Sequence, residues 1–200
     1  MRVLLISVNT EQINMEVLPL GLGYLAAAID NQGHTVKLLN LTMQTDTHKA
    51  IGGTIADFNP GIIGISVRNI DDQSLENPRF LLESVKGVVD SCRKHSDATI
   101  VLGGAGYSIF PQASLDFLKA DIGIQGEGEG AFLTLLKRLR KNKDISDIPG
   151  LYLPGRKSPP APGYIKSLSD ITLPLPDVHL PIPSALANQE VWIPFQSRRG

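Results

Sequence analysis

The fold is decided by the apolar run Val3-Leu4-Leu5-Ile6-Ser7-Val8 near the start of the chain. A continuous apolar run, without alternating polar positions, is typical of a parallel strand that helices cover on both faces. Similar runs recur along the chain, and amphipathic segments of helical periodicity separate them. They lie at residues 35–39, 62–67, 99–102 and 121–124. This alternation predicts an α/β fold with a five-stranded parallel sheet.

The amphipathic segments predict helices that cover this sheet on both sides. They lie at residues 19–31, 47–58, 79–95, 112–118 and 130–141. The expected architecture is a flavodoxin-like or Rossmann-like three-layer sandwich with the strand order 2-1-3-4-5. Ligands of such sheets bind at the carboxyl ends of the strands. We therefore look for function in the loops that follow strands 1, 3, 4 and 5.

Composition excludes several classes of protein. The 200 residues carry a net charge of −1, which argues against a nucleic-acid binder with a basic surface. The single cysteine excludes a disulfide framework. No apolar run approaches the roughly 20 residues that span a bilayer, and the amino terminus lacks the features of a signal peptide. We therefore expect a cytoplasmic protein with neither a nucleic-acid nor a membrane partner.

Prolines divide the chain into two parts. Ten of the 14 prolines lie at or after Pro149. We therefore expect an α/β domain at residues 1–148 and a proline-rich extension at residues 149–200, with a short helix near residues 184–187.

Glycine clusters follow two neighbouring strands of the predicted sheet. Strand 4 runs into Gly103-Gly104-Ala105-Gly106, and strand 5 into Gly126-Glu127-Gly128-Glu129-Gly130. Glycine leaves the backbone bare, so that a flat or bulky ligand can approach it. The second cluster opens a helix, whose free N–H groups can receive polar ligand atoms. Two tight turns with no ligand are the alternative explanation.

Other motifs favour structural roles. Gly21, Gly23 and Ala26 match a dinucleotide-binding fingerprint, but they stand about a dozen residues beyond strand 1, where that fingerprint has no function. They indicate instead that the first helix packs closely on the sheet or on a flat ligand. Asp71 and Asp72 indicate a solvated loop or a helix cap. Cys92 lies on an apolar helix face, which predicts a buried core thiol.

Histidine gives no sign of a metal centre. None of the four histidines falls in the four loops, so we predict no metal ligands and expect surface or capping roles for all four.

Taken together, the loops resemble the amino-terminal cobalamin-binding domain of B12-dependent radical SAM enzymes. The resemblance rests on 18–27 (LPLGLGYLAA) together with the two glycine clusters. It extends to 173–177 (LPLPD), which looks like the linker after that domain, and to 191–200 (VWIPFQSRRG), which looks like the strand and Arg-Gly step before the cluster cysteines.

This resemblance implies a cobalamin site at the carboxyl edge of the sheet. In the family the corrin lies flat over that edge, and its dimethylbenzimidazole tail enters the domain. Gly103, Gly104 and Gly126 would line the tail channel. The implied apolar surface beside the ring consists of Leu18, Pro19, Leu20 and Gly21. The implied polar contacts to the tail or to the corrin amides come from Ser66, Arg68, Glu127, Gly128 and Glu129.

Two motifs known from cobalamin-binding and radical SAM proteins are missing from this sequence. The D-x-H-x-x-G motif that supplies a histidine to cobalt in other cobalamin domains is absent, which leaves residues 9–16 as candidates near the lower face. No C-x-x-x-C-x-x-C motif is present to hold a [4Fe–4S] cluster.

The missing cysteine motif implies a binding module that is not catalytic by itself. Residues 149–200 would be a linker to a radical SAM domain of the same parent protein. The implied parent is a methyltransferase that uses methylcobalamin, S-adenosylmethionine and a [4Fe–4S] cluster. The alternatives are a flavodoxin-like small-molecule or nucleotide-binding enzyme and a ligand-free interaction module of the same fold.

Overall fold

The apolar runs of the sequence form one sheet at the centre of the molecule. The computed structural model describes residues 1–8, 18–42, 44–72, 76–156, 161–165, 167, 170–175 and 178–180. Within these residues the strand order is β2-β1-β3-β4-β5-β6. The strands are β1 (Arg2–Ser7), β2 (Thr35–Asn40), β3 (Ile62–Ser66), β4 (Thr99–Gly103), β5 (Ile122–Ile124) and β6 (Leu151–Tyr152). The first five are parallel, so the predicted fold class and the order of these strands are confirmed.

The sixth strand is the difference from the five-stranded prediction. β6 pairs antiparallel with β5, through Gly123 with Tyr152 and Ile124 with Leu151. Gly150 precedes it with a positive φ of 71°, and its carbonyl accepts a 2.9 Å hydrogen bond from the Gln125 N–H. A strand of two residues is too short to produce a periodic pattern, which is why the sequence does not reveal it.

Helices cover both faces of the sheet. They are α1 (Leu20–Asn31), α2 (Thr47–Phe58), α3 (Leu82–His95), α4 (Ala105–Ile109), α5 (Pro111–Leu118) and α6 (Gly128–Leu139). Buried side chains of α1 and α6 pack on one face, and those of α2, α3 and α5 pack on the other. Cys92 of α3 is fully buried in the second layer, as the sequence predicts.

Of the predicted helices, α3 begins furthest from its expected start: the prediction begins at residue 79 and the helix at Leu82. The Asp72 carboxylate accepts hydrogen bonds from the Arg79 backbone N–H at 2.9 Å and from its Nε at 2.7 Å. Phe80 also forms an antiparallel bridge with Asp71. Residues 79–81 are therefore held outside the helix, and the two aspartates belong to a closed loop after β3.

Some expectations lie outside the described residues. They concern residues 9–16, the helix at 184–187, the segment 191–200 and part of the segment 173–177. Among the described helices, none combines the length and apolar character needed to cross a bilayer.

Candidate functional site

A cleft of about 630 Å³ opens at the carboxyl edge of the sheet, between the sheet and helices α1 and α6. This volume falls within the roughly 300–1,000 Å³ typical of small-molecule sites. Its lining comprises Leu5, Leu20, Gly21, Leu22, Leu25, Gly64, Ile65, Ser66, Val101, Leu102, Gly103, Gly104, Ile124, Gly126, Glu127, Gly128, Glu129 and Phe132. The cleft therefore receives residues from four neighbouring parallel strands and the two helices that cover one face.

The floor of the cleft is one row of paired residues across three strands. Gly64 of β3 pairs with Leu5 of β1 and with Val101 of β4. These residues precede the strand ends Ser7, Ser66 and Gly103 by two positions, so the row lies about 7 Å below the edge of the sheet. We call Leu5, Gly64 and Val101 the floor row.

Gly64 lets neighbouring side chains pack closely over the floor row. A Cβ built at Gly64 would lie 2.8 Å from Cδ2 of Leu5 and 3.5 Å from Cε2 of Phe132. A side chain there would therefore displace Leu5 and press against Phe132 of α6. The interior glycine of this isoleucine-rich strand thus marks a close approach of another group, as such glycines often do.

Two glycine turns form the upper edge of the cleft. Gly104 has a φ of 100°, and a Cβ there would lie 2.6 Å from the Val67 carbonyl oxygen and 3.0 Å from Ser66 Oγ. Gly126 has a φ of 81°, and a Cβ there would lie 3.4 Å from Cβ of Pro162. Side chains are disfavoured at both positions by backbone conformation, and at Gly104 also by space.

Ser108 of α4 connects the two turns. Its hydroxyl donates to the Gly104 carbonyl at 2.9 Å and accepts from the Gly126 N–H at 3.0 Å. The carbonyl of Ser108 also accepts from Nε2 of Gln125 at 3.1 Å, and Oε1 of Gln125 accepts from the Tyr152 hydroxyl at 2.9 Å. One hydrogen-bonded chain therefore fixes the spacing of the two turns and ties it to β6.

Polar groups stand at the upper edge of the cleft. Ser66 lies two positions beyond Gly64, so the alternation of the strand directs its side chain to the same face. Its hydroxyl makes no hydrogen bond with the residues that the structure describes, which leaves it available to a ligand. Glu127 occupies the N-cap position of α6, and its carboxylate accepts a hydrogen bond from the Ile165 N–H.

Metal-binding side chains do not gather at this cleft. The described residues contain no group of three or more His, Cys, Asp or Glu side chains that could hold a metal ion. His179 is buried, so of the surface or capping role expected of it only a capping role remains. Its Nδ1 accepts from the Leu175 N–H at 2.9 Å, and its Nε2 lies 3.4 Å from Oδ2 of Asp30 on α1.

A family of known domains matches most of this fold. The model of the B12 binding domain matches residues 6–136, which run from the end of β1 into α6. The chain belongs to the B12-binding domain family.

Relatives of this B12-binding domain include two methyltransferases. It is 30% identical over 166 residues to tryptophan 2-C-methyltransferase of Streptomyces laurentii, and the aligned segment covers 77% of this chain and 27% of the relative. It is 29% identical over 150 residues to cytidylyl-2-hydroxyethylphosphonate methyltransferase of Streptomyces wedmorensis, and the aligned segment covers 66% of this chain and 27% of the relative.

A solved structure shows the same fold. TsrM of Kitasatospora setae, a radical S-adenosylmethionine methyltransferase with cobalamin and a [4Fe–4S] cluster bound, superposes with a TM-score of 0.75 at 26% identity. The match covers 86% of this chain and 31% of TsrM. The predicted resemblance to cobalamin-binding domains of radical SAM enzymes is confirmed, and the chain spans about a third or less of the length of these relatives.

Most residues that the sequence singled out in the B12-binding domain lie together at the cleft. They are Leu20, Gly21, Ser66, Gly103, Gly104, Gly126, Glu127, Gly128 and Glu129. Three others lie outside its lining. Leu18 is buried just before α1, and Pro19 occupies the cap position of that helix. Arg68 is exposed, and its backbone packs against Gly106.

Sequence reasoning missed the lower half of the cleft. Leu5, Gly64, Val101, Ile124 and Phe132 all line it, and none was among the candidate site residues. The one usable sign was Gly64, a glycine inside an apolar strand. The other four are apolar residues that look like ordinary core in the sequence.

Gly23 also has a different neighbour from the one expected. A Cβ there would lie 2.6 Å from Cγ of Leu180, so this glycine accommodates the C-terminal segment, whereas Ala26 is buried against the sheet as predicted.

Proposed function

We propose that this B12-binding domain holds cobalamin with the nucleotide tail in the cleft and the corrin ring over the carboxyl edge of the sheet. The observation that carries this proposal is the cleft of about 630 Å³ itself, whose lining runs from the two glycine turns at the carboxyl edge down to the apolar floor row. A corrin ring with its substituents exceeds a drug-sized molecule, whereas a cleft of about 630 Å³ suits a narrower tail.

The cleft is apolar at the bottom and polar at its upper edge, and this arrangement fits the chemistry of such a tail. Apolar side chains of the sheet, α1 and α6 would surround the aromatic base at the bottom. Ser66, whose hydroxyl has no partner among the described residues, would donate to or accept from the base or the ribose. The N–H groups at the amino end of α6 would meet the phosphate or hydroxyl oxygens of the tail. Gly103, Gly104 and Gly126 would let the tail pass the two turns.

The remaining predicted residues would act near the ring. Leu20 and Gly21 open α1 beside the cleft, so they would contact the corrin edge. Leu18 and Pro19 would support that edge from the start of the helix, and Arg68 would reach the corrin amides from the loop after β3. Glu127 and Glu129 would accept hydrogen bonds from amide or hydroxyl groups.

We also propose that the chain is the cobalamin module of a larger radical SAM methyltransferase. The names of the relatives and their greater length support this parent. When bound, cobalamin supplies a cobalt centre that can carry a methyl group. In the parent, residues 1–148 would bind cobalamin, and residues 149–200 would lead to a radical SAM domain with a [4Fe–4S] cluster and S-adenosylmethionine. The net charge of −1 argues against a nucleic-acid partner bound through a basic surface, and we place the protein in the cytoplasm as part of this proposal.

Retention of cobalamin by the purified chain tests the site. The chain is incubated with hydroxocobalamin, desalted, and examined for corrin absorption under oxidising and reducing conditions. We expect retained absorption. Loss of all corrin under both conditions would overturn cobalamin binding and favour a ligand-free interaction module.

A matched pair of variants places the site. Gly21 in α1 lines the cleft, Gly53 in α2 does not, and a Cβ at either position meets nothing within 4 Å. Leucine should stabilise both helices by up to about 1 kcal/mol, because glycine is a poor helix former. We expect Gly21→Leu to weaken cobalamin binding at least about tenfold, the loss of about 1.4 kcal/mol, while Gly53→Leu leaves it unchanged. Equal cobalamin affinity in the two variants would place the site elsewhere.

A further inference from the structure

The lower part of the cleft is built from hydrocarbon. Leu5 and Val101 of the floor row, Ile124 of β5 and Phe132 of α6 are each 3% exposed or less. Leu22 and Leu25 of α1 complete the side wall. None of these side chains carries a hydrogen-bond donor or acceptor.

The backbone at this depth has little to offer a polar ligand. The residues of the floor row lie within the parallel ladders that join β1, β3 and β4, where strand N–H and carbonyl groups pair with each other. Ser66 is the nearest polar side chain above the floor row among the described residues that line the cleft, and it stands two positions higher. Glu127, Glu129 and the α6 N–H groups stand at the upper edge.

We infer that the cleft selects corrinoids by the chemistry of their lower base, accepting an apolar benzimidazole and rejecting a purine such as adenine. This inference rests on the proposed function, because it assumes that the nucleotide tail enters the cleft. A dimethylbenzimidazole presents methyl groups to the floor row and Phe132. An adenine presents an exocyclic amine and additional ring nitrogens, which lose water on entry and find no partner there.

The expected discrimination is moderate. A buried polar group without a partner costs enough to weaken binding by about ten- to a hundredfold. An apolar cavity of this kind does not reject a polar analogue completely, because the remaining contacts of the ligand are unchanged.

Three corrinoids distinguish this inference from the proposed function. The whole chain is titrated with cobalamin, with the corrinoid that carries adenine as its lower base, and with cobinamide, which has no base. We expect cobalamin to bind at least about tenfold more tightly than the adenine corrinoid. We also expect cobinamide to bind more weakly than cobalamin.

Each other outcome has a definite meaning. Equal affinity for cobalamin and the adenine corrinoid, with weaker cobinamide binding, would overturn base selection and leave the cobalamin site in place. Equal affinity for cobalamin and cobinamide would show that the tail does not use the cleft, and both the placement and the inference would fail. Failure to bind any of the three would overturn cobalamin binding itself.

A pair of valine variants tests the chemical cause. Val101→Thr places a hydroxyl at the floor row with almost no change of volume. Val85→Thr makes the same change on α3, in the core layer on the other face of the sheet. We expect Val101→Thr to reduce the ratio of the affinity for cobalamin to the affinity for the adenine corrinoid by about threefold or more, because the new hydroxyl can hydrogen-bond to the adenine. The inference fails if Val85→Thr reduces this affinity ratio as much as Val101→Thr does.

Discussion

Ser108 is a single hydroxyl on which the geometry of the cleft edge depends. It bonds the Gly104 carbonyl and the Gly126 N–H at once, and both glycines have positive φ angles that a small shift would disturb. Removing the hydroxyl leaves both backbone groups without this partner. We expect Ser108→Ala to weaken cobalamin binding about two- to tenfold, because the Gly126 N–H loses this acceptor while the Gly104 carbonyl still accepts from the Ser108 N–H at 3.1 Å.

Two further variants separate this role from a general loss of stability. Ser108→Thr keeps the hydroxyl and should restore most of the affinity. Ser146→Ala removes a hydroxyl that bonds Asp144, away from the cleft, and should leave cobalamin affinity unchanged. Affinity is measured by titration and the free energy of unfolding by urea. Equal affinities in Ser108→Ala and Ser146→Ala would contradict the role of Ser108.

Cys92 makes the stability of the domain sensitive to alkaline pH. Burial raises the pKa of its thiol from 9.0 to about 12, and the neighbouring Arg93 charge opposes this rise only in part. The folded state keeps this proton to a higher pH than the unfolded state does. The contribution of the thiol to stability is therefore fully present below pH 9 and is lost as the pH rises towards 12. The slope reaches at most about 1.4 kcal/mol per pH unit from this group.

Replacement of the thiol isolates this contribution. Burial also raises the pKa of Tyr107, so part of the alkaline loss persists without the cysteine. We expect the free energy of unfolding, measured in urea above pH 9, to fall less steeply in Cys92→Ala than in the unaltered chain. Parallel pH profiles would show that the thiol contributes nothing.

At the scale of elements, α1 holds the C-terminal segment as well as one wall of the cleft. Leu180 packs over Gly23, and His179 bridges the Leu175 N–H and Asp30. A methyl group at Gly23 would displace Leu180, whose burial stabilises the fold by about 1.5–3 kcal/mol. The gain in helix propensity offsets about 0.5–1 kcal/mol of that loss.

We therefore expect Gly23→Ala to destabilise the chain by about 1–2 kcal/mol and to speed proteolysis near residues 175–180. In a Leu180→Ala background, the same substitution should instead become neutral or stabilising, because the clash is gone. Gly87→Ala on α3, where a Cβ meets nothing within 4 Å, is the matched control and should stabilise. Urea unfolding and limited proteolysis measure both effects. Destabilisation that persists without Leu180 would contradict this packing.

At the scale of the whole molecule, the sequence predicted those features of the fold that depend on local sequence patterns. Continuous apolar runs indicate buried parallel strands, and the carboxyl ends of such strands must meet at one edge. This reasoning placed Gly104 and Gly126 at the same site without knowledge of any contact.

Features that depend on register or on distant contacts could not be predicted. The floor row exists because Leu5, Gly64 and Val101 come level in three strands, and no single strand contains that information. Phe132 looks like core because its face of α6 is apolar, whichever space it borders. The contact of Leu180 with Gly23 joins residues far apart in the chain and leaves no periodic trace.

The two outer strands of the sheet bear on self-association. Exposed strand edges can pair with other chains and lead to aggregation. At one side β6 offers only two residues, and at the other side β2 carries the exposed charge of Lys37. Short strands and edge lysines both oppose pairing between molecules. The short antiparallel strand that the sequence concealed therefore helps to keep separate copies of this chain from joining through their sheets.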